Sequence, residues 1–169
     1  VDWQDYRYTR DRPGVPTSDS DQWRVFGGAT WDATAKTSGT VKLGWMTKDF
    51  SSSAYAPYDN FAWEIDLQWR PRTYSTVNLG TSRSAYESVE GLADSTVVSA
   101  VDIDWIHYWK PFLYTKLGAL ATDDDYNGTS RNDNRYRASG GVFYQAKRWL
   151  EVGAEYRYET RVSNEPLAE

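Results

Sequence analysis

Along residues 61–70 the chain reads Phe61-Ala62-Trp63-Glu64-Ile65-Asp66-Leu67-Gln68-Trp69-Arg70, and apolar and polar residues alternate. Phe61, Trp63, Ile65, Leu67 and Trp69 take the odd positions, while Glu64, Asp66, Gln68 and Arg70 fill the even positions after Ala62. Successive side chains of a β-strand point to opposite faces, so this order makes one face apolar and the other polar. Wound as a helix, the same residues would spread charge around the whole circumference. The segment is therefore predicted to be a strand.

The same period recurs along the chain. From Trp23 to Asp32, Trp23, Val25, Gly27, Ala29 and Trp31 share a face opposite Arg24, Thr30 and Asp32. From Thr40 to Lys48, Val41, Leu43 and Trp45 oppose Lys42 and Lys48; from Thr73 to Arg83, Val77 and Leu79 oppose Asn78 and Ser82. From Thr96 to Trp109, Val97, Val101, Ile103, Trp105 and Trp109 oppose Asp102 and Asp104, and from Pro111 to Thr122, Leu113, Leu117, Ala119 and Ala121 share a face. Two further segments, Arg135 to Gln145 and Trp149 to Arg161, set Tyr136, Ala138, Val142 and Tyr144, then Leu150, Val152, Ala154, Tyr156 and Tyr158, against Arg137, Ser139, Gln145, Glu151, Glu155, Arg157 and Glu159. An opening strand is expected around Trp3 to Arg10, which brings the total to about nine. Their lengths suit a tilted strand crossing a bilayer, roughly 9–11 residues or somewhat more.

The links between them sort into two kinds. Short ones are expected at Thr34-Ala35-Lys36-Thr37, Arg70-Pro71-Arg72, Trp109-Lys110-Pro111 and Ala146-Lys147-Arg148, at nearly equal intervals. Long polar ones are expected at Asp11 to Asp21, Asp49 to Asn60, Ser84 to Ser95 and Asp123 to Asn134. Short and long alternate, as they do in outer-membrane barrels, where tight turns face the periplasm and extended loops face outward. Aromatic residues gather at both ends: Trp69, Tyr74, Trp109, Phe112 and Trp149 beside the short links, and Phe50, Tyr55, Tyr58, Phe61, Tyr86, Tyr126 and Tyr136 near the long ones. Amphipathic rings favour the two water–lipid boundaries.

Composition sharpens this picture. Aromatics make up 16% of 169 residues, including Trp 9 and Tyr 13, yet mean hydropathy is −0.74. A helical membrane protein could not be so polar, whereas a barrel can, because every second residue faces water. No run approaches the roughly 20 apolar residues of a transmembrane helix. Val1-Asp2-Trp3 does not read as a signal peptide, so an exported protein would already have lost its leader. With no cysteine and a single histidine, the chain offers neither disulfides nor a thiolate metal site, and a net charge of −5 argues against nucleic-acid binding. No cofactor is expected.

The expected fold class is all-β: a transmembrane up-and-down antiparallel β-barrel, with residues 1–169 forming one barrel domain or a segment of one. An odd number of up-and-down strands cannot close antiparallel, so at least one further strand is expected from a larger barrel. Eight strands closing with the first segment left as an extension is the alternative.

The candidate lumen-lining residues are Glu64, Asp66, Gln68, Arg70, Asp102, Asp104, Glu155 and Arg157, which line a hydrated channel or form a fixed charge network. Asp102 and Asp104 stand at i, i+2 and report a shared face rather than an acid–base pair. His107 sits in Trp105-Ile106-His107-Tyr108-Trp109 with no serine close in sequence, and reads as an interfacial histidine rather than a catalytic one. Asp123-Asp124-Asp125-Tyr126-Asn127-Gly128 matches the first half of a calcium loop, with Asp123, Asp125 and Asn127 as ligand positions. The bidentate Glu expected at its end is replaced by Asn134, and Arg131 would lie close to an ion, so an ordinary polar loop is the better reading. No catalytic residue and no metal site is assigned.

Several hairpin motifs resemble the outer-membrane family known as β-barrel porin 2. They are Thr37-Ser38-Gly39-Thr40-Val41-Lys42-Leu43-Gly44 leading to Lys48-Asp49-Phe50; Leu67-Gln68-Trp69-Arg70-Pro71-Arg72-Thr73-Tyr74-Ser75-Thr76-Val77, followed by Thr81-Ser82-Arg83; Arg148-Trp149-Leu150-Glu151-Val152-Gly153-Ala154-Glu155-Tyr156; and Arg161-Val162-Ser163-Asn164. The resemblance spans nearly the whole chain, but its motifs are hairpin grammar and carry no chemistry. It implies a porin-like protein in the outer membrane of a Gram-negative cell, with a role in exopolysaccharide or capsule export. The partners it implies are outer-membrane lipid, polysaccharide and export-machinery proteins, and it transfers no catalytic residue. A soluble β-rich carbohydrate-binding module, with Trp and Tyr stacking on sugars, is the competing reading. Such a module would bury its apolar face in a shared core.

Overall fold

A computed structural model of the chain describes residues 2–6, 19–34, 36–50, 57–87 and 95–165. The described residues form nine strands: β1 (Asp2–Tyr6), β2 (Ser20–Thr34), β3 (Thr37–Phe50), β4 (Tyr58–Arg72), β5 (Ser75–Glu87), β6 (Ser95–Lys110), β7 (Leu113–Asn127), β8 (Asn132–Lys147) and β9 (Leu150–Ser163). They make one sheet in sequence order, each strand antiparallel to the next. Up-and-down connectivity without crossovers is what alternating hairpins dictate.

Among the described residues no ladder joins β9 to β1, so the sheet is open. The eight-strand closed alternative does not match, because β1 is a paired member of the sheet from Asp2↔Arg24 to Tyr6↔Ser20. Residues 7–10 of the expected opening strand lie outside the described residues, as do residues 11–18, 51–56 and 88–94 of the three long links that precede β2, β4 and β6.

Every predicted face survives the register. Val25 pairs with Trp45 and Trp45 with Phe61; Leu67 pairs with Leu79, Leu79 with Ile103 and Ile103 with Ala119. Among the described residues no second layer covers this apolar face. Trp109 is 60% exposed, Val152 59% and Tyr156 72%, where a soluble domain would bury such residues. The described residues do not form the shared core that a sugar-binding module needs. The small buried cluster of Met46, Ala62, Ala85 and Val97, with Phe26 packed against it, lies toward the long-loop end.

The short links repeat one construction. Each is preceded by a β-bulge, with register shifts between Asp32 and Thr34, Trp69 and Arg72, Tyr108 and Lys110, and Gln145 and Lys147. The last three turns are therefore Thr73-Tyr74, Pro111-Phe112 and Arg148-Trp149, displaced toward the C-terminus from the positions expected at Arg70-Pro71-Arg72, Trp109-Lys110-Pro111 and Ala146-Lys147-Arg148. Pro71 marks a bulge rather than a turn; a bulged position releases the ladder hydrogen bond that proline cannot make.

These turns are also stitched to one another. The Lys36 carbonyl accepts from Arg70 N–H at 2.6 Å, Tyr74 from Tyr108 at 2.8 Å and Phe112 from Gln145 at 2.8 Å. Each hairpin thereby satisfies a carbonyl of the preceding turn.

The fourth long link is not long. β7 and β8 pair through Asp123↔Asn134, Asp124↔Asp133 and Asp125↔Asn132, leaving residues 128–131 to turn the chain. Gly128 supplies the positive φ of 84° that this turn requires.

Candidate functional site

Opposite the apolar skin, the second face of the sheet carries polar rows. One row runs Thr40, Asp66, Gly80, Asp102, Leu120, Arg137 and Glu159. Its neighbour runs Ser38, Gln68, Asn78, Asp104, Gly118, Ser139 and Arg157. A third includes Lys42, Glu64, Ser82, Thr122, Arg135 and Arg161. Seven of the eight lumen-lining candidates, Glu64, Asp66, Gln68, Asp102, Asp104, Glu155 and Arg157, thus fall on one face. Arg70 stands apart at the β4 bulge, beside the short turns.

Cross-strand pairs organise these rows. Lys42 Nζ lies 2.8 Å from Glu64 Oε1, Arg137 Nε 2.9 Å from Glu159 Oε2, and Arg157 lies 3.1 Å from Glu155 along β9. Gln68 donates to Asn78 at 2.9 Å. β5 contributes no charge to this stretch: Thr76, Asn78, Gly80, Ser82 and Ser84 form a neutral, hydrogen-bonding stripe between two acidic strands.

Two glycines make room for the carboxylates. A Cβ at Gly80 would collide with the Asp102 carboxylate, and one at Gly118 would stand 2.7 Å from Asp104 Oδ1. Each aspartate therefore lies over its register partner on an adjoining strand, Asp102 over β5 and Asp104 over β7.

Arg137 and Glu159, which alternation sets on the polar side, share the face with Arg135 and Arg161; none of the four is among the lumen-lining candidates, although alternation points to all of them. Nearer the short turns the same face carries an aromatic ladder: Tyr108 to Tyr114 at 5.0 Å and Tyr114 to Phe143 at 5.0 Å between ring centroids. Lys116 Nζ lies over Tyr114 and Phe143 at 5.4 and 5.0 Å.

At the long-loop end the structure builds a rim latch. Asp133 is fully buried and accepts from Arg131 at 3.0 Å and from Arg161, while Asp124 pairs with Arg135. Arg161 also reaches the Tyr126 hydroxyl at 3.3 Å, and Asn132 Nδ2 donates to Asp123 at 2.8 Å. Outward-facing Asp123, Asp125 and Asn134 place this rim beyond the apolar band. Burial by itself would raise the Asp133 carboxyl, but hydrogen bonds from Arg161, Ser163, Arg131 and Tyr126 outweigh it and hold it well below the usual carboxylate range. Asp123, Asp125 and Asn127 lie along extended β7 instead of curling round a centre, and no group of three or more His, Asp or Glu gathers for a metal among the described residues.

His107 belongs to the opposite, apolar face. Its ring lies 5.4 Å from Tyr74, 5.2 Å from Trp105 and 4.4 Å from Trp109. The register corrects one expectation, because it brings Ser75 directly across from His107. The Ser75 hydroxyl accepts from Trp105 Nε1 at 2.9 Å, and His107 Nδ1 is buried without a hydrogen-bond partner. The two side chains are not coupled as nucleophile and base.

The model of the family described as "Putative beta-barrel porin 2" covers residues 1–169. Neither a curated protein nor a solved structure matches the chain.

Proposed function

Because the chain belongs to the β-barrel porin 2 family, we propose that it forms the wall of a hydrated conduit in the bacterial outer membrane and that the conduit exports exopolysaccharide or capsule polymer. The observation that carries this reading is the two-sided sheet: an uncovered apolar skin suits lipid, and the polar rows behind it suit a water-filled lumen. The neutral stripe on β5 supports a saccharide cargo, since hydroxyl and amide groups exchange hydrogen bonds with sugar hydroxyls without fixing a charged ligand. The ladder of Tyr108, Tyr114 and Phe143 supports it too, offering aromatic faces for sugar rings near one mouth.

The same reading makes the protein a passage and not an enzyme. Ser75 is engaged by Trp105, and His107 stands on the lipid side, away from the polar rows. Lipid of the outer membrane, polysaccharide and export-machinery proteins are the proposed partners. In a Gram-negative strain lacking the gene, surface polymer is expected to fall while polymer accumulates in the periplasm, with complementation restoring both. Unchanged surface polymer would overturn the export assignment.

A further inference from the structure

The lumen-facing charges differ in whether they are neutralised. Every arginine of the three polar rows has an acidic partner: Arg135 with Asp124, Arg137 with Glu159, Arg157 with Glu155 and Arg161 with Asp133. Lys42 is held by Glu64. Asp66, Asp102 and Asp104 have no ion-pair or hydrogen-bond partner among the described residues. Lys116 and Arg70 lie one position nearer the short turns, and Lys116 is drawn over the Tyr114 and Phe143 rings.

The two kinds of charge meet in one cleft of about 330 Å³. Asp102 and Asp104 form one side and Arg137 and Arg157 the other, with Gly118 and Ser139 as a floor. The arginines, paired to glutamates on their own or the adjoining strand, present dipoles, whose fields fade faster with distance than that of a bare charge. The aspartates present bare charge. The glycines at 80 and 118 hold that charge flat against the wall, leaving the passage in front of it open. A low-dielectric wall bearing uncompensated charge of one sign concentrates counter-ions in the water beside it.

We infer that this cleft, together with Asp66 across the β5 stripe, makes the conduit cation-preferring, with Asp66, Asp102 and Asp104 as the selectivity-determining residues, and that among saccharides the conduit disfavours acidic chains relative to amino-sugar chains. This inference rests on the conduit reading. Neutral β5 side chains separate Asp66 from Asp102, so the acidic surface spans β4 to β6 with no cation on the intervening strand's polar face among the described residues.

The test is the reversal potential of the full-length protein in planar bilayers under a potassium chloride gradient near 0.1 M, where screening acts over about 10 Å. The wild type is expected to pass K⁺ in preference to Cl⁻, with the preference shrinking in about 1 M salt, where the screening length is roughly 3 Å. Asp102→Asn with Asp104→Asn should bring the permeability ratio toward unity. Arg137→Gln with Arg157→Gln should free Glu155 and Glu159 and raise it. Asp66→Asn, on a separate strand, should lower the ratio independently should the double exchange fail to fold. In the same bilayers, oligomers of glucosamine should interrupt the current more than oligouronates of equal length. A conducting pore without preference, or with anion preference, or one that both oligomers block equally, overturns the inference while leaving the conduit standing. Absence of any conductance overturns the conduit reading and this inference with it.

Discussion

Trp63 on β4 donates its indole N–H to the Thr81 hydroxyl on β5 at 3.1 Å, reaching two residues from its register partner Arg83. Trp105 does the same toward Ser75 at 2.9 Å, two residues from its partner Val77, and Trp109 donates to Thr115 at 2.9 Å. These hydroxyls sit on the otherwise apolar skin. Their placement follows from the solvent: an indole N–H facing hydrocarbon finds no water, so a neighbouring strand must supply the acceptor.

Replacing Thr81 by Val keeps the shape and removes that acceptor. The Trp63 N–H is then left unsatisfied, a cost of about 1–3 kcal/mol. Ser75→Ala should act alike through Trp105. Denaturant titration in lipid vesicles, read by tryptophan fluorescence, should show the midpoint falling for both; unchanged midpoints would mean these bonds do not form in the bilayer.

Depth and face should govern the cost of adding charge. Ile103→Arg, mid-strand on the apolar skin, is expected to destabilise the protein by about 2–4 kcal/mol. Ser82→Arg, on the polar rows, should change stability little, because its side chain reaches water. Equal losses at both positions in the same unfolding assay would contradict the two-faced wall.

How far the sequence revealed this arrangement depends on which physical constraint each residue obeys. Val101, Asp102, Ile103 and Asp104 alternate because each must face lipid or water, and that constraint is legible from order alone. The pairing of Arg137 with Glu159 or Lys42 with Glu64 is not, since it depends on register between strands. Asp123 to Asn134 looked like a loop because it is polar at every position; once a strand rises beyond the apolar band, both of its faces meet water and alternation ends. Pro71 looked like a turn because a proline inside a ladder is unusual, and the bulge that admits it leaves no mark in the local sequence.

The rim latch predicts a pH response. Asp133 is held below the usual carboxylate range in the folded state, so its contribution is fully present above the ordinary carboxyl value of about 3.9 and fades as pH falls below it. Stability of the wild type should therefore drop on acidification below about pH 4. Asp133→Asn should flatten that decline and, at neutral pH, lower stability by about 1–3 kcal/mol as Arg131 and Arg161 lose the carboxylate they share. Unfolding midpoints of both proteins across that range decide the matter; parallel curves would remove Asp133 from the account.

The cleft predicts a separable effect of shape. Gly118→Ala places a methyl group against the Asp104 carboxylate and should swing it into the passage. Single-channel conductance should fall with little change in stability, and Asp104→Ala in the same protein should restore it. A conductance unaffected by Gly118→Ala would show that Asp104 does not line the path.

The chain has no cysteine, so single cysteines can read the wall residue by residue. Val101→Cys, Asp102→Cys, Ile103→Cys and Asp104→Cys, each reconstituted in vesicles and exposed to a charged, membrane-impermeant thiol reagent, measure which side chains meet water. Reaction at 102 and 104 with protection at 101 and 103 is the predicted result. Uniform labelling, or protection of 102 and 104 instead, would contradict a wall with lipid on one side and water on the other.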